Sequence, residues 1–155
     1  MLNSRKVFTA YIIILSAVFL GVCEAAPLAK ESEEYKQLEA MGCDISVTKI
    51  GDESTVAKCG GATVYINKAA DGSSFSRLFS RKPLSEEDEL KLLRVVNQMN
   101  IDLSTQVALT KTGIIFATYN RGPHNAKAFA AHIRVIEKTD QMWADYPTLL
   151  PLLNK

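Results

Sequence analysis

Two histidines, His124 and His132, are the residues of this sequence best suited to move protons near neutral pH. Imidazole titrates close to neutrality, which makes histidine a common general acid or base. The two are eight residues apart, so on one helix they would lie about two turns, or about 12 Å, from each other. That distance is too long for direct cooperation. We therefore expect structural roles, with His124 at a helix start beside Pro123 and His132 at the rim of the core.

Other groups with catalytic potential lack the partners that catalysis needs. Four serines lie in one stretch, Ser73, Ser74, Ser76 and Ser80, but without the Gly-x-Ser-x-Gly elbow of many hydrolases. Three acidic residues follow one another, Glu86, Glu87 and Asp88, where helix capping and the helix dipole already explain them. Gly60-Gly61 lacks the lysine and the following helix of a phosphate-binding loop. The sequence thus predicts no catalytic residue, no cofactor-binding residue and no cofactor.

The three cysteines predict one disulfide and no metal site. Cys23 lies in the expected leader, which leaves Cys43 and Cys59 as an even pair in a compartment that allows disulfides. If Gly51-Asp52 forms a hairpin turn, these two cysteines face each other across adjacent strands, within the distance that a bridge accepts. Both histidines lie far along the chain from the cysteines, so a zinc site with three or four protein ligands is not expected.

The segment Phe75-Ser76-Arg77-Leu78-Phe79 combines three large apolar residues with a positive charge. Aromatic and arginine side chains supply much of the binding energy at protein interfaces. One interpretation is therefore an exposed anchor for a partner, formed by Phe75, Arg77, Leu78 and Phe79. The alternative is that Phe75 and Phe79 fold back and cover the open face or the end of a sheet.

The composition is that of an ordinary globular protein, with 155 residues, 47% hydrophobic and 23% charged, and the length favours one domain. The chain has 18 Lys and Arg against 17 Asp and Glu, and removal of Arg5, Lys6 and Glu24 with the leader leaves 16 of each. A neutral domain argues against nucleic-acid binding, which usually needs a basic excess. Neutrality also provides no electrostatic attraction to an anionic membrane surface.

The first 25 residues have the three zones of an export signal. Arg5 and Lys6 precede an apolar run over residues 7–22, and small residues follow at Ala25 and Ala26. The run is shorter than the roughly 20 residues that span a bilayer, so we expect cleavage after Ala25 and a periplasmic or secreted domain over residues 26–155. An uncleaved membrane anchor and a lipoprotein acylated at Cys23 are the alternatives.

Hydrophobic periodicity predicts an α+β fold with a five-stranded antiparallel sheet. Helices are expected at residues 31–41, from Ser85 onward and at 125–143, and strands at 43–50, 55–60, 62–67, 104–109 and 113–119. The element order is then α-β-β-β-α-β-β-α. The segment 68–84 receives no assignment from these patterns.

This order resembles the fold of type III secretion chaperones and of the YbjN-like family. The local match is Val96-Asn97-Gln98-Met99-Asn100 at the end of the middle helix, followed by a hairpin and a long helix with Phe129 inside and Trp143 near its end. It covers residues 33–150. The resemblance implies a non-enzymatic binding domain that often pairs through its sheet or helices, so a homodimer is a candidate state.

The resulting hypothesis is an exported, non-enzymatic protein-binding or chaperone-like module of the bacterial envelope. Its partner would be a protein, with no nucleic acid and no membrane contact after removal of the leader. Two alternatives stay open. A small secreted hydrolase would unite His124 or His132 with a carboxylate in a cleft, and a secreted inhibitor or immunity-type protein would present a protruding loop.

Overall fold

The structure is a computed structural model that describes residues 26–50, 52–103 and 105–152, and the expected leader, 1–25, lies outside them. The strands are β1 (Asp44–Ile50), β2 (Asp52–Cys59), β3 (Ala62–Ala69), β4 (Gly72–Ser80), β5 (Gln106–Leu109) and β6 (Gly113–Arg121). The helices are α1 (Glu33–Ala40), α2 (Glu86–Asp102), α3 (Ala126–Glu137) and α4 (Thr139–Met142), followed by a 3₁₀ turn at Pro147–Leu152. No helix in the described ranges is long and apolar enough to cross a membrane.

Polar side chains define the starts of the three longer helices. The cap residues are Ser32, Ser85 and Asn125, and each side-chain oxygen accepts a hydrogen bond from the backbone N–H three residues later. Such caps satisfy donors that the first helical turn leaves free. The predicted helix start at Ser85 is confirmed. The single long helix expected over 125–143 is wrong, because α3 ends at Glu137 and the Thr139 hydroxyl donates to the Ile136 carbonyl at the break.

The fold is α+β with an antiparallel sheet, as expected, but the sheet has six strands and not five, in the order β1-β2-β3-β4-β6-β5. The additional strand is β4, within the segment 68–84. Four of its nine residues are serines, which are more typical of turns, and they obscure the alternation. A Cβ at Gly72 would lie 2.0 Å from the backbone oxygen of Asn120, so only glycine fits where β4 meets β6.

The helices and the apolar core lie on one side of the sheet. α3 packs on β3, β4 and β6, α1 packs on β1 and α3, and α2 packs on β5. Burial alternates along the strands, as in Ala62, Val64 and Ile66 of β3. The largest fully buried side chains are Phe75, Phe116, Phe129, Leu38, Ile66, Leu92, Met99, Ile114, Ile133, Ile136 and Val64. The helices of the described ranges all pack on this one side, and antiparallel sheets commonly have a single face packed on the core.

Three ion pairs connect basic residues of the central strands and their ends to the helices. The pairs are Lys68–Glu34 to α1, Arg77–Asp140 to α4 and Arg81–Glu89 to α2. Arg81 is buried and also donates from Nε to the Thr110 carbonyl at 2.9 Å. The first two pairs join residues that are distant in sequence, whereas Arg81 and Glu89 are eight residues apart. Arg81 also joins the β5–β6 turn to α2.

The residues before α1 complete the sheet beside β3. Ala26 forms an antiparallel bridge to Lys68, beyond the point where β2 pairs with β3. The backbone N–H of Leu28 donates to the Thr55 hydroxyl at 2.7 Å, and the Leu28 side chain is buried in the core. This segment therefore closes the core at one end of the sheet.

The predicted disulfide between Cys43 and Cys59 is present, with the two Cα atoms 4.6 Å apart. The strand register from which we predicted it is also confirmed, because Asp44 pairs with Lys58 at the adjacent position. The bridge joins the start of β1 to the end of β2. It therefore fixes an edge strand to its neighbour at one end.

Removal of this bridge should lower the free energy of unfolding by about 3 kcal/mol, because an open loop of about 16 residues gives the unfolded chain more conformational entropy. The measurement is urea unfolding of the wild type and of C43A/C59A, each with and without reductant. Reductant should destabilise the wild type and leave the double variant unchanged. Equal stability of the two proteins under oxidising conditions would contradict the expectation.

Candidate functional site

His132 is part of the core. It lies on α3, its Nδ1 is 2.8 Å from the Thr118 hydroxyl, and its ring stacks on Phe75 with centroids 5.3 Å apart. Burial lowers the pKa of His132 from its usual value, because a low-dielectric surrounding disfavours the charged imidazolium. A neutral ring in this position packs against an aromatic neighbour and makes one hydrogen bond, which is a structural role.

His124 lies just before α3 and does not meet His132. Its ring approaches Phe129 edge-on with centroids 5.5 Å apart, and Phe129 in turn contacts Phe75 at 5.0 Å. The two histidines thus lie at opposite ends of a row of four rings. The Nδ1 atom of His124 is buried without a hydrogen-bond partner in the described part of the chain. The structure therefore does not form an acid and base pair from these residues.

Glu34 of α1 is buried and forms an ion pair with Lys68, whose side chain is 42% exposed. Burial alone would raise the pKa of Glu34, but the hydrogen bond and charge of Lys68, with a smaller contribution from His124, hold it below the usual value. Ser73 lies opposite Lys68 on β4 and is also buried. This cluster has the residue types of a hydrolase, yet its carboxylate is engaged and its serine is shielded from substrate.

A shallow depression of about 520 Å³ lies between α1 and α3. It is lined by Gln37, Ala126, Lys127, Ala130, Ala131 and Arg134. Neither histidine and no carboxylate contributes to this lining. The depression therefore does not provide the cleft that the hydrolase hypothesis requires.

The segment 75–79 is divided between the two faces of the sheet. Phe75 is fully buried, with 0% of its surface exposed, and Phe79 packs edge-on against Phe116 and Trp143 with centroids 5.6 and 4.9 Å apart. Leu78 lies on the opposite face and is 37% exposed. The interpretation of Phe75 and Phe79 as exposed anchors is therefore wrong, because both cover the helix side of the sheet.

Arg77 also points toward the helices. Its guanidinium lies 4.5 Å from the centre of the Phe79 ring and donates to Asp140 Oδ2 at 2.9 Å and to the Thr139 hydroxyl at 3.3 Å. These contacts fix the guanidinium at the end of α3. Of the four residues singled out for partner binding, only Leu78 lies on the face without helices.

The face without helices has a uniform chemistry that the sequence analysis did not single out. Its strand positions hold Ser46, Thr48, Ser54, Val56, Thr63, Tyr65, Asn67, Ser74, Ser76, Leu78, Ser80, Gln106, Ala108, Ile115, Ala117 and Tyr119. We call this set the open face, within which Ser54, Val56 and Ala117 are buried. None of these side chains is charged, although charged residues make up 23% of the chain. Four charged residues also stand on this side, with Asp44, Asp52 and Arg121 at strand ends and Lys58 next to the end of β2.

An apolar patch lies within the hydroxyl-rich part of the open face. Leu78 is paired in register with Ile115, and Ile115 is paired with Ala108 on the next strand. Tyr119, which is 37% exposed, donates from its hydroxyl to Asp71 Oδ1. The hydrogen bond fixes the ring of Tyr119 at the rim. The available signal for this face was the alternation of residues 113–121, which places Ile115 and Tyr119 on the side opposite the buried Ile114 and Phe116.

The Val96–Asn100 motif, on which the family resemblance partly depends, has a structural role at the edge of the sheet. Asn100 accepts a hydrogen bond from the Val107 backbone N–H at 2.7 Å and donates to the Val107 carbonyl at 2.7 Å. Its amide also donates to the Val96 carbonyl at 3.1 Å. The Asn100 side chain thus bonds the β5 backbone groups that a neighbouring strand would otherwise bond, and it joins β5 to α2.

Comparison with models of protein families and with the sequences of curated proteins finds no match to this chain. Within the described residues, no group of three or more His, Cys, Asp or Glu is placed to hold a metal ion.

Truncation of Phe75 and of Leu78 should have different effects on stability. We expect Phe75→Ala to lower the free energy of unfolding by about 3–5 kcal/mol, because it opens a cavity against α3. Leu78→Ala removes a partly exposed side chain and should cost about 1 kcal/mol or less. Chemical denaturation of both variants measures the difference. A similar loss in the two proteins would mean that Leu78 is part of the core.

The lowered pKa of His132 predicts stability that decreases on acidification. The unfolded chain takes up a proton at the usual pKa of about 6.5, before the folded chain does. Stability is therefore complete above that pH and decreases as the pH drops toward the folded pKa. Urea midpoints between about pH 7.5 and 5.5 measure this slope, which should be smaller in His132→Gln and unchanged in the exposed control Lys127→Gln. An unchanged slope in His132→Gln would contradict this assignment.

Proposed function

We propose that this chain is an exported, non-enzymatic protein-binding or chaperone-like module of the bacterial envelope, similar to the YbjN-like family, and that the open face is its binding surface. The observation that carries the proposal is the composition of that face. Tyrosine, serine, threonine and asparagine surround the apolar patch of Leu78 and Ile115. The charged residues on this side, Asp44, Asp52, Lys58 and Arg121, stand at or next to strand ends, and none is paired in register with Leu78 or Ile115.

This composition is suited to protein recognition. Tyrosine supplies a large contact area with little loss of conformational entropy, and serine and asparagine supply adaptable hydrogen bonds, a combination that antibody binding sites also use. Six strands spaced about 4.8 Å apart give a face about 29 Å wide. Such a width provides room for the roughly 800 Å² that each partner buries in a standard interface.

The lack of charge on the open face indicates the chemistry of the partner. A charged partner would lose hydration on contact without gaining a countercharge, and unpaired buried charges are costly. An uncharged partner surface loses little hydration, and its apolar side chains can bury Leu78 and Ile115. We therefore propose a partner whose contact surface is itself neutral, with apolar and hydroxyl groups.

Export is supported by the disulfide and by the type of leader expected over residues 1–25. Disulfides are maintained in oxidising compartments and are rare in the cytosol of most organisms. The YbjN-like resemblance stays a prediction, and relative to the predicted element order the structure has β4 inserted before α2. That insertion adds a strand between β3 and β6 and widens the face that we propose for binding.

The two alternative functions have less support. A hydrolase would need an accessible nucleophile, whereas Ser73 and Glu34 beside His124 are buried. An inhibitor that inserts a protruding loop would need a long loop. In the described ranges the strand connections are short, as in Gly60-Gly61, Ala70-Asp71 and residues 110–112.

The test compares two leucines of similar exposure on different surfaces. Leu78 on the open face is 37% exposed and Leu90 on α2 is 42% exposed. A photo-crosslinking residue at Ser76 should form an adduct with an envelope protein in the native host. Leu78→Arg should reduce that adduct at least about tenfold, corresponding to about 1.4 kcal/mol, because it places a cation on a neutral surface.

Leu90→Arg is the matched control and should leave the adduct unchanged. A second crosslinking position at Ala131, which is exposed on α3, should not form the same adduct. Melting curves of both arginine variants check that each protein is folded. Adducts at Ala131 but not at Ser76, or an effect of Leu90→Arg equal to that of Leu78→Arg, would contradict the proposal.

A further inference from the structure

The two edges of the sheet differ in how their backbone groups are satisfied. At one edge, β5 has only four residues, and the Asn100 side chain bonds the outward N–H and carbonyl of Val107. A strand of another chain that approached β5 would therefore find the backbone N–H and carbonyl of Val107 already bonded. Natural sheets commonly protect edges with short strands and covering side chains, because an open edge can pair with another chain.

The opposite edge, β1, lacks this protection. It is seven residues long and is the terminal strand of the sheet. In the described part of the chain, no backbone group outside β2 forms a hydrogen bond with it. It contains no proline, and the side chain of Val47 is 55% exposed. An exposed apolar residue on a long open edge is the feature that strand addition requires.

The β1 edge is also held firmly in place. All seven of its residues are in register with β2, from Asp44 opposite Lys58 to Ile50 opposite Asp52. The Cys43–Cys59 bridge adds a covalent link at the start of the strand. A strand fixed in this way presents its outer backbone groups in a regular row and loses little entropy when a further strand pairs with it.

We propose that β1 pairs antiparallel with β1 of a second copy of this chain, with Ser46 opposite Ser46 of the other copy. This register places Ile45 of each copy opposite Val47 of the other on the helix side of the sheet. On the open side it places Asp44 of each copy opposite Thr48. Apolar residues thus face apolar residues, and polar residues face polar ones, at every pair from Asp44 to Thr48.

The self-complementarity of these pairs favours a second copy as the occupant. Cross-strand pairs of β-branched residues and of hydroxyl residues stabilise a sheet. This register supplies an Ile45–Val47 pair on each side of its centre and a Ser46–Ser46 pair at the centre. The net charge of the chain is +1, so two copies do not repel each other strongly. A foreign strand would need to have the same alternation in order to make equivalent contacts.

Pairing through β1 is independent of the function proposed for the open face. It joins two six-stranded sheets into one continuous sheet, with both helix layers on one side. The two open faces then lie side by side on the other side. This dimer would therefore double the available binding surface without covering it.

The test uses opposite charges at Ser46, which is exposed. Wild-type protein should show a monomer–dimer equilibrium in sedimentation velocity over a concentration series. Ser46→Lys and Ser46→Glu should each sediment as monomers, because like charges directly opposite each other destabilise strand pairs. An equimolar mixture of the two variants should regain the dimer. Ser80→Lys, at an exposed serine on the same side of β4, is the matched control and should dimerise as the wild type does.

Four results would overturn the inference. A wild-type chain that stays monomeric throughout the series excludes the dimer. A Ser46→Lys variant that dimerises as well as the wild type excludes this edge, as does an equimolar mixture that stays monomeric. Dissociation by Ile101→Lys on α2 with no effect of the Ser46 substitutions would place the interface on that helix. Circular dichroism of each variant checks the fold, so that loss of the dimer is distinguished from unfolding.

Discussion

The packing of α3 on the central strands is the interaction on which the rest of the structure depends. Phe75 of β4 contacts Phe129 edge-on and stacks on His132, so one strand residue meets two successive turns of the helix. This contact holds β4 between β3 and β6 and covers the middle of one side of the sheet. The helices of the described residues all lie on this side, so the open face is the side of the sheet on which none of them packs.

The charges of the central strands are used on the helix side. Lys68, Arg77 and Arg81 each form an ion pair with a different helix. Arg77 also interacts with the Phe79 ring, and Arg81 bonds a turn carbonyl, so the planar guanidinium serves more than one partner. Because a strand directs successive side chains to opposite faces, placing the basic residues on the helix side leaves Ser74, Ser76 and Leu78 for the open side. The same alternation therefore produces the ion pairs and the neutral face.

Local signals in the sequence were sufficient for much of the fold but not for the open face. The cap at Ser85 and the pairing of Cys43 with Cys59 each depend on residues close in sequence, and both were predicted correctly. β4 was missed because its serines resemble a loop and because its partner β6 lies beyond α2 and β5. Leu78 was singled out together with Phe75 and Phe79, but only the strand assignment shows that they belong to opposite faces. The open face combines residues from six strands, and no single segment of the sequence displays it.

The topology also has a consequence for the order of folding. β1, β2, β3 and β4 pair in sequence order through short turns, and the disulfide lies within the first of these hairpins. The pairing of β4 with β6 instead closes a loop that contains α2 and β5. Loop closure costs entropy before its contacts form, and non-local pairing slows folding. The four-stranded meander can therefore form early and oxidise its cysteines, whereas the helix layer over β4 is completed only when β6 arrives from the distant end of the chain.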